Sequence, residues 1–309
     1  MTATRRLLFG YNPPTGDRLL EPVNPRTYTR DLQGVLDIAS QSFSSLWISD
    51  HHMTGDRFRL ECWSVLMWVA ARYPGPMLGT CVMANSYRHP PLLAKMVASL
   101  QYLSSGRFIF GYGAGWTEEE YLAYGYEFPS ARVRIAQLDD GVRAIKALWT
   151  QSPATYTGPY YQVENAYCEP RPDPIPPLML AGDGERYMLR VVAEHADWWL
   201  SYSRRPEIQR RKLAALAEHC ETFGRDPATI KKCAPLTVFL DRDRASARNR
   251  AGAKLEGENP AFAGDPAEFR EHLAQLQELG FDMVQLSFAG FPETDDLKLF
   301  ADEVLPAFA

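Results

Sequence analysis

The chain of 309 residues carries only five cysteines, an odd number, and no two of them form a CxxC pair. That excludes a disulfide framework and points to free thiols in a reducing cytoplasm. No run approaches the ~18 apolar residues of a membrane span. The apolar run after Arg5-Arg6 is far too short for a secretion signal. Basic charge is scarce as well: 33 Lys and Arg face 38 Asp and Glu, a net charge of -5 without long blocks. The basic stripe of a nucleic-acid binder is therefore missing. Also absent are a GxxxxGK[ST] phosphate loop, a GxSxG nucleophile elbow, an HExxH zinc helix and a complete GxGxxG with its acidic partner. These absences predict a soluble cytoplasmic protein whose partners include neither nucleic acid nor membrane, and whose site holds no metal. With 46% hydrophobic residues, the chain has ample means to build a core.

What is present is an alternation. Short apolar runs recur at Leu7–Gly10, Leu46–Asp50, Met77–Ala84, Phe108–Gly113, Leu178–Gly182, Asp197–Ser201, Leu236–Leu240 and Met283–Ser287. Segments of helical period follow them near Tyr28–Phe43, Leu60–Ala71, Pro91–Leu103, Ile135–Trp149, Glu185–His195, Glu207–Phe223, Pro266–Leu279 and Asp295–Leu305. Strand-helix alternation implies parallel strands covered by helices. Eight such units over this length favour one α/β domain, residues 1–309, folded as a (β/α)8 TIM barrel. Two long connections read as insertions after strands 4 and 7. Thr150–Pro177 carries a proline ladder, and Asp241–Gly264 has the charged, Ala/Gly-rich composition of a mobile flap.

In a parallel barrel the site forms at the carboxyl ends of the strands. Those ends supply Tyr11-Asn12, Asp50-His51-His52, Ala84-Asn85-Ser86-Tyr87, Gly111-Tyr112-Gly113-Ala114-Gly115-Trp116, Gly182-Asp183-Gly184-Glu185 and Trp198-Trp199. The set is rich in aromatics and amides and poor in convergent acids. It describes a slot for a planar, hydrogen-bonding ring. The alternate glycines after the fourth strand let such a ligand approach the backbone, although tight turns use the same pattern. Gly182-Asp183-Gly184 opens a helix, so its N–H groups suit a phosphate; a helix capped by Asp183 is the other reading. His51 and His52 are candidate proton carriers or ring contacts, with a rim-structural role as the alternative. Trp116 and Trp198 are candidate walls.

These residues resemble the bacterial luciferase-like flavin-dependent oxidoreductases over nearly the whole chain. The resemblance rests on Leu46-Trp47-Ile48-Ser49-Asp50-His51-His52, Asn85-Ser86-Tyr87-Arg88-His89-Pro90-Pro91, Leu103-Ser104-Ser105-Gly106-Arg107 and Glu120-Tyr121 with Gly125 and Phe128-Pro129. Gly158 with Tyr160-Tyr161, and Pro176-Pro177-Leu178-Met179 leading to Gly182, complete it. It implies a barrel binding the deazaflavin coenzyme F420, favoured here, or FMN. His51 would be the active-site His. Ala84 and Asn85 would lie beside the ring, near a non-proline cis peptide, and Gly111 and Gly113 would let the ring or its tail pass. Gly182, Asp183, Gly184 and Glu185, with the Tyr160 hydroxyl, would meet the phosphate; Tyr11, His52, Trp116 and Trp198 would wall the substrate pocket. The chain departs from some deazaflavin dehydrogenases in having Gly55 where they carry Trp, and Trp116 where they carry Glu.

The expected activity is hydride transfer between reduced F420 and a small organic substrate. An FMN-dependent monooxygenase using oxygen and a non-catalytic flavin-binding barrel are the alternatives, with a metal hydrolase built on His51 and His52 a distant third. A flavin reductase and a second copy of the chain are the expected protein partners.

Overall fold

The computed structural model describes residues 6–16, 22–202, 205–257 and 259–308. Parallel strands close into a ring in the order β1 (Leu8–Tyr11), β2 (Ser45–Ile48), β3 (Met77–Thr80), β5 (Phe108–Gly113), β8 (Leu178–Ala181), β9 (Trp198–Leu200), β10 (Lys231–Leu240) and β12 (Met283–Phe288). The ring shuts where Leu8 pairs with Met283. The third stave is interrupted at Cys81–Val82, which are joined by a cis peptide, and resumes as β4 (Met83–Ala84) beside β5. The cis bond expected around Ala84–Asn85 thus stands a little earlier in the chain.

Helices α1 (Tyr28–Ser42), α2 (Cys62–Arg72), α3 (Pro90–Leu103), α5 (Ala131–Thr150), α6 (Met188–His195), α7 (Pro206–Thr222) and α9 (Pro266–Glu278) cover the ring. Each buries one apolar stripe, as Leu32, Val35, Leu36 and Ala39 do on α1. The short α4 (Glu118–Ala123) lies between β5 and α5, with the acidic triplet in its first turn, where the helix dipole favours carboxylates. Proline begins α3 and α7, where its missing N–H costs nothing. The last helical segment is not continuous: α10 (Asp295–Leu299) runs into a π-helical turn at Phe300–Val304.

Both long connections carry structure. The proline-rich one begins with the hairpin β6 (Ala154–Thr157) and β7 (Gln162–Ala166), tied to α5 through the Asp140 carboxylate. The expected flap contains α8 (Arg244–Ala251) and β11 (Phe262–Gly264), which extends the sheet in parallel beside β10. Its charged composition is that of a solvated helix.

The ring's interior is filled by Trp47, Ile109, Met179, Trp198, Leu200, Cys233 and Met283. Gly10 and Gly79 make room for Trp47: a Cβ would stand 2.4 Å from the indole at Gly10 and 2.3 Å at Gly79. That plug makes the barrel interior a packed core.

Candidate active site

A cavity of about 830 Å3 opens where the strands stop. Asn12 after β1, His51 after β2, Ala84 on β4, Gly113 on β5, Gly182 after β8 and Ser287 on β12 all line it. The geometry follows from parallel closure, which gathers the carboxyl ends of all the staves at one face.

His51 is the histidine on the cavity wall. Its Nδ1 lies 2.9 Å from Glu120 Oε2, and its ring meets Trp116 edge-on at 5.9 Å. The Glu120 side chain is fully buried. Its Oε1 also accepts hydrogen bonds from the backbone N–H of His52 and of Met53. Burial alone would push the carboxyl up. The bond to His51, the N–H of Met53, the His51 charge and the N–H of His52 outweigh it and hold the group at about 2. An ionised Glu120 can only accept, so His51 Nδ1 must carry hydrogen, and Nε2 becomes the nitrogen that exchanges a proton. Tyr87, also on the cavity wall, donates its hydroxyl to the same carboxylate, and this together with burial pushes the phenol up.

Beneath this pair, Asp50 and Arg88 lock the ends of β2 and β4 together. Asp50 Oδ2 accepts from the N–H of Ala84 at 3.0 Å and from Arg88 Nη1 at 2.8 Å. Arg88 also pairs with Glu61, which caps α2 by accepting from the N–H of Trp63 and Ser64. A buried cation with two carboxylates is compensated, so the loops that carry His51 and Ala84 are fixed to one another.

The turn before α6 lines the same cavity. The Asp183 carboxylate is held by partners within the protein: it accepts from Ser201 Oγ at 2.8 Å and from the N–H of Tyr202 at 3.0 Å, and pairs with Lys212 at 3.4 Å. Gly182 has φ +139°, a backbone geometry that side chains disfavour. The α6 N-cap makes no side-chain hydrogen bond, so Asp183 is not acting as its cap.

A family model of luciferase-like monooxygenases matches residues 21–278. The chain belongs to that family. It is an oxidoreductase of the luciferase-like class. Among its curated relatives is an F420-dependent glucose-6-phosphate dehydrogenase of Kineococcus radiotolerans, 32% identical over 240 residues, 74% of this chain and 70% of that protein. A protein of the same name from Beutenbergia cavernae is 30% identical over 313 residues, 90% of this chain and 93% of its own length. An F420-dependent hydroxymycolic acid dehydrogenase of Mycobacterium tuberculosis is 30% identical over 211 residues, covering 67% of this chain and 58% of the relative. The fold matches that of an F420-dependent secondary alcohol dehydrogenase solved with an F420-acetone adduct, with a TM-score of 0.82 at 19% identity, covering 98% of this chain and 99% of that one.

Of the site residues expected for a luciferase-like enzyme, the cavity gathers His51, Ala84, Gly113, Trp116, Gly182, Asp183 and Gly184. The others lie off it. Strand alternation sends Tyr11 outward against Phe43 and Phe288, while its neighbour Asn12 faces the cavity. Trp198 begins β9 and sits low in the barrel beside Lys231; Tyr202, beyond the end of the strand, takes the expected wall position. The His52 ring stacks on Tyr87 and Tyr124 at 4.2 and 4.9 Å. Asn85 is buried as a clasp, accepting from Tyr112 at 2.5 Å and donating to Tyr161 at 2.9 Å. Gly111 is required by packing, since a Cβ there would stand 1.8 Å from the Thr80 carbonyl oxygen. Tyr160 is 44% exposed on the hairpin, and Glu185 pairs with Arg211 at 2.8 Å.

Sequence reasoning passed over Arg134 and Met188, and it assigned no role to Tyr87 or Glu120. Glu120 stood out only as part of an acidic helix start and of the family resemblance, and the structure sets it against His51. His51 and His52 have different neighbours: His51 meets Glu120 and Trp116, whereas the His52 ring lies against Tyr87 and Tyr124. Among the described residues the one group with metal-ligand spacing is Asp139, Glu194 and His195, outside the cavity, where Arg143 already bridges both carboxylates.

Proposed function

We propose that this protein is an F420-dependent oxidoreductase that moves a hydride to or from a small organic substrate at the barrel mouth. The observation that carries the reading is the His51–Glu120 pair at the edge of a cavity large enough for a tricyclic ring. Val82, Ile135 and Met188 offer apolar walls to the ring, and the Gly182–Gly184 turn, with Asp183 drawn back, suits an anionic tail. When bound, the deazaflavin supplies hydride chemistry that reacts poorly with oxygen. The chain's own task is to hold the substrate and handle its proton. His51 Nε2 takes the proton from an alcohol as its hydride leaves, or returns it in the reverse direction; Glu120 fixes the tautomer in which Nε2 is the exchanging nitrogen and stabilises the imidazolium that forms. Trp116 meets the His51 ring edge-on and adds an apolar wall at the mouth.

We further infer a cytoplasmic homodimer served by a separate reductase. No helix among the described residues is long and apolar enough to cross a membrane. Leu92, Tyr102 and Leu103 stand 57%, 70% and 70% exposed on α3, large apolar side chains of the kind subunits cover.

Absorbance and fluorescence titration of the purified protein with F420 and with FMN tests the reading. Uptake of F420, followed by anaerobic reduction on adding glucose 6-phosphate or a secondary alcohol, is the expected result. Uptake of FMN alone, with oxygen consumption coupled to product, would replace it with a monooxygenase. Bound coenzyme that never changes redox state across a broad substrate panel would leave a binding barrel.

A further inference from the structure

Arg134, in the first turn of α5, is a buried charged group on the cavity wall that the reading above does not use. It is 9% exposed. Its Nε donates to the Gly115 carbonyl at 3.3 Å, its Nη1 donates to the Pro129 carbonyl, and the guanidinium lies 3.8 Å from the centre of the Phe128 ring. Among the described residues no carboxylate pairs with it. The other buried cations differ: Arg88 has Asp50 and Glu61, and Lys212 has Asp183.

Arginines bonded to carbonyls occur elsewhere in the barrel, but in another electrostatic setting. Arg225 meets the carbonyls of Ala193 and Ala196, at the carboxyl end of α6, where the helix dipole welcomes a cation. Arg134 sits instead where helices begin, since Gly115 precedes α4 and Pro129 precedes α5. Its own helix dipole opposes its charge there. The acids of the first turn of α4 do not offset it, because Glu118 and Glu119 are exposed and Glu120 is committed to His51. A desolvated cation in a positive field is costly unless an anion joins it. The Gly182–Gly184 turn lines the same cavity, and the first turn of α5 reaches the start of α6, where Arg132 lies 5.6 Å over the Tyr187 ring.

We infer that Arg134 anchors an oxyanion, phosphoryl or carboxylate, on the α5–α6 side of the cavity, facing the Gly182–Gly184 turn. The inference rests on the oxidoreductase reading for its ligand, and two sources can deliver the oxyanion: the tail of the coenzyme or the substrate itself.

The test compares binding of F420 with binding of its tail-less deazaflavin chromophore, and adds inorganic phosphate as a separate probe by calorimetry. At low salt the native protein should prefer F420 by about tenfold or more. Arg134→Gln should reduce that preference to about twofold, and Arg134→Lys should retain part of it. An unchanged preference together with lost phosphate binding in Arg134→Gln assigns the oxyanion to the substrate. If neither measurement moves in a folded Arg134→Gln protein, Arg134 is only a clip between the α4 and α5 loops and the inference falls. If both variants fail to fold, the native protein decides: equal affinity for F420 and the chromophore, with no phosphate binding, overturns it. Failure of F420 to bind at all would sink the oxidoreductase reading instead, leaving the phosphate arm to judge Arg134.

Discussion

Glu120 does two jobs with one carboxylate. It fixes the tautomer of His51 and ties down the backbone of His52 and Met53. Its folded-state value of about 2 lies below the ordinary 4.5, so its stabilisation is fully present above pH 4.5 and is lost as pH falls through about 2. The contribution is on the order of 2–3 kcal/mol. Glu120→Gln should therefore lower the unfolding free energy at pH 7 by about that much, while urea curves of the two proteins converge near the acid end. Curves that stay parallel across this range would remove the carboxylate from the acid response. His51→Gln should leave F420 binding within about twofold and slow turnover by about 10²–10⁴-fold, the span of a lost general base or acid. A variant that turns over normally would take His51 out of the chemistry.

At the scale of elements, the strand-to-helix turn before α6 distinguishes two glycines. Gly182 has φ +139°, and a Cβ there would stand 2.9 Å from Met188 Cγ. Gly184 has no such constraint, and its Cβ would rest 3.6 Å from Met188 Cβ, an ordinary contact. Gly182→Val should destabilise the protein by about 1–3 kcal/mol and abolish F420 uptake, because both backbone and side chain must shift. Gly184→Ala should fold with native stability, so any loss of affinity in it reports on the approach of the ligand alone. Equal F420 affinity in Gly182→Val would exclude the turn from the site.

Over the whole molecule, the barrel's diameter and its plug must agree. Trp47 fills the interior only because Gly10 and Gly79 face it. Gly79→Ala should cost about 1–3 kcal/mol by overpacking, and combining it with Trp47→Leu should return part of that loss, as denaturant unfolding would reveal. Additive losses in the double variant would show that the two positions do not share the space. The exposed apolar side chains at the end of α3 make a separate demand. Sedimentation should give a dimer, converted to monomer by Tyr102→Glu with Leu103→Glu; a native monomer would leave those side chains unexplained.

Local rules written along the chain were enough for the barrel. Apolar runs of strand length, helical periods between them, and proline and glycine at the boundaries all act over a few residues, so the strand-helix alternation was legible. The placement of the glycine turn after β8 and of His51 at strand ends followed for the same reason, and both line the cavity. What only tertiary structure decided was which neighbour of each pair faces the cavity. Asn12 faces it and Tyr11 does not, and Tyr202 replaces Trp198, because strand length and register set the alternation at each rim. Packing also gives Gly111 and Asn85 structural tasks that spacing does not show: Gly111 lies against the Thr80 carbonyl, and Asn85 accepts from Tyr112. Glu120 was out of reach for a deeper reason. Sixty-nine residues separate it from His51, and only closure of the ring buries the carboxylate against the imidazole.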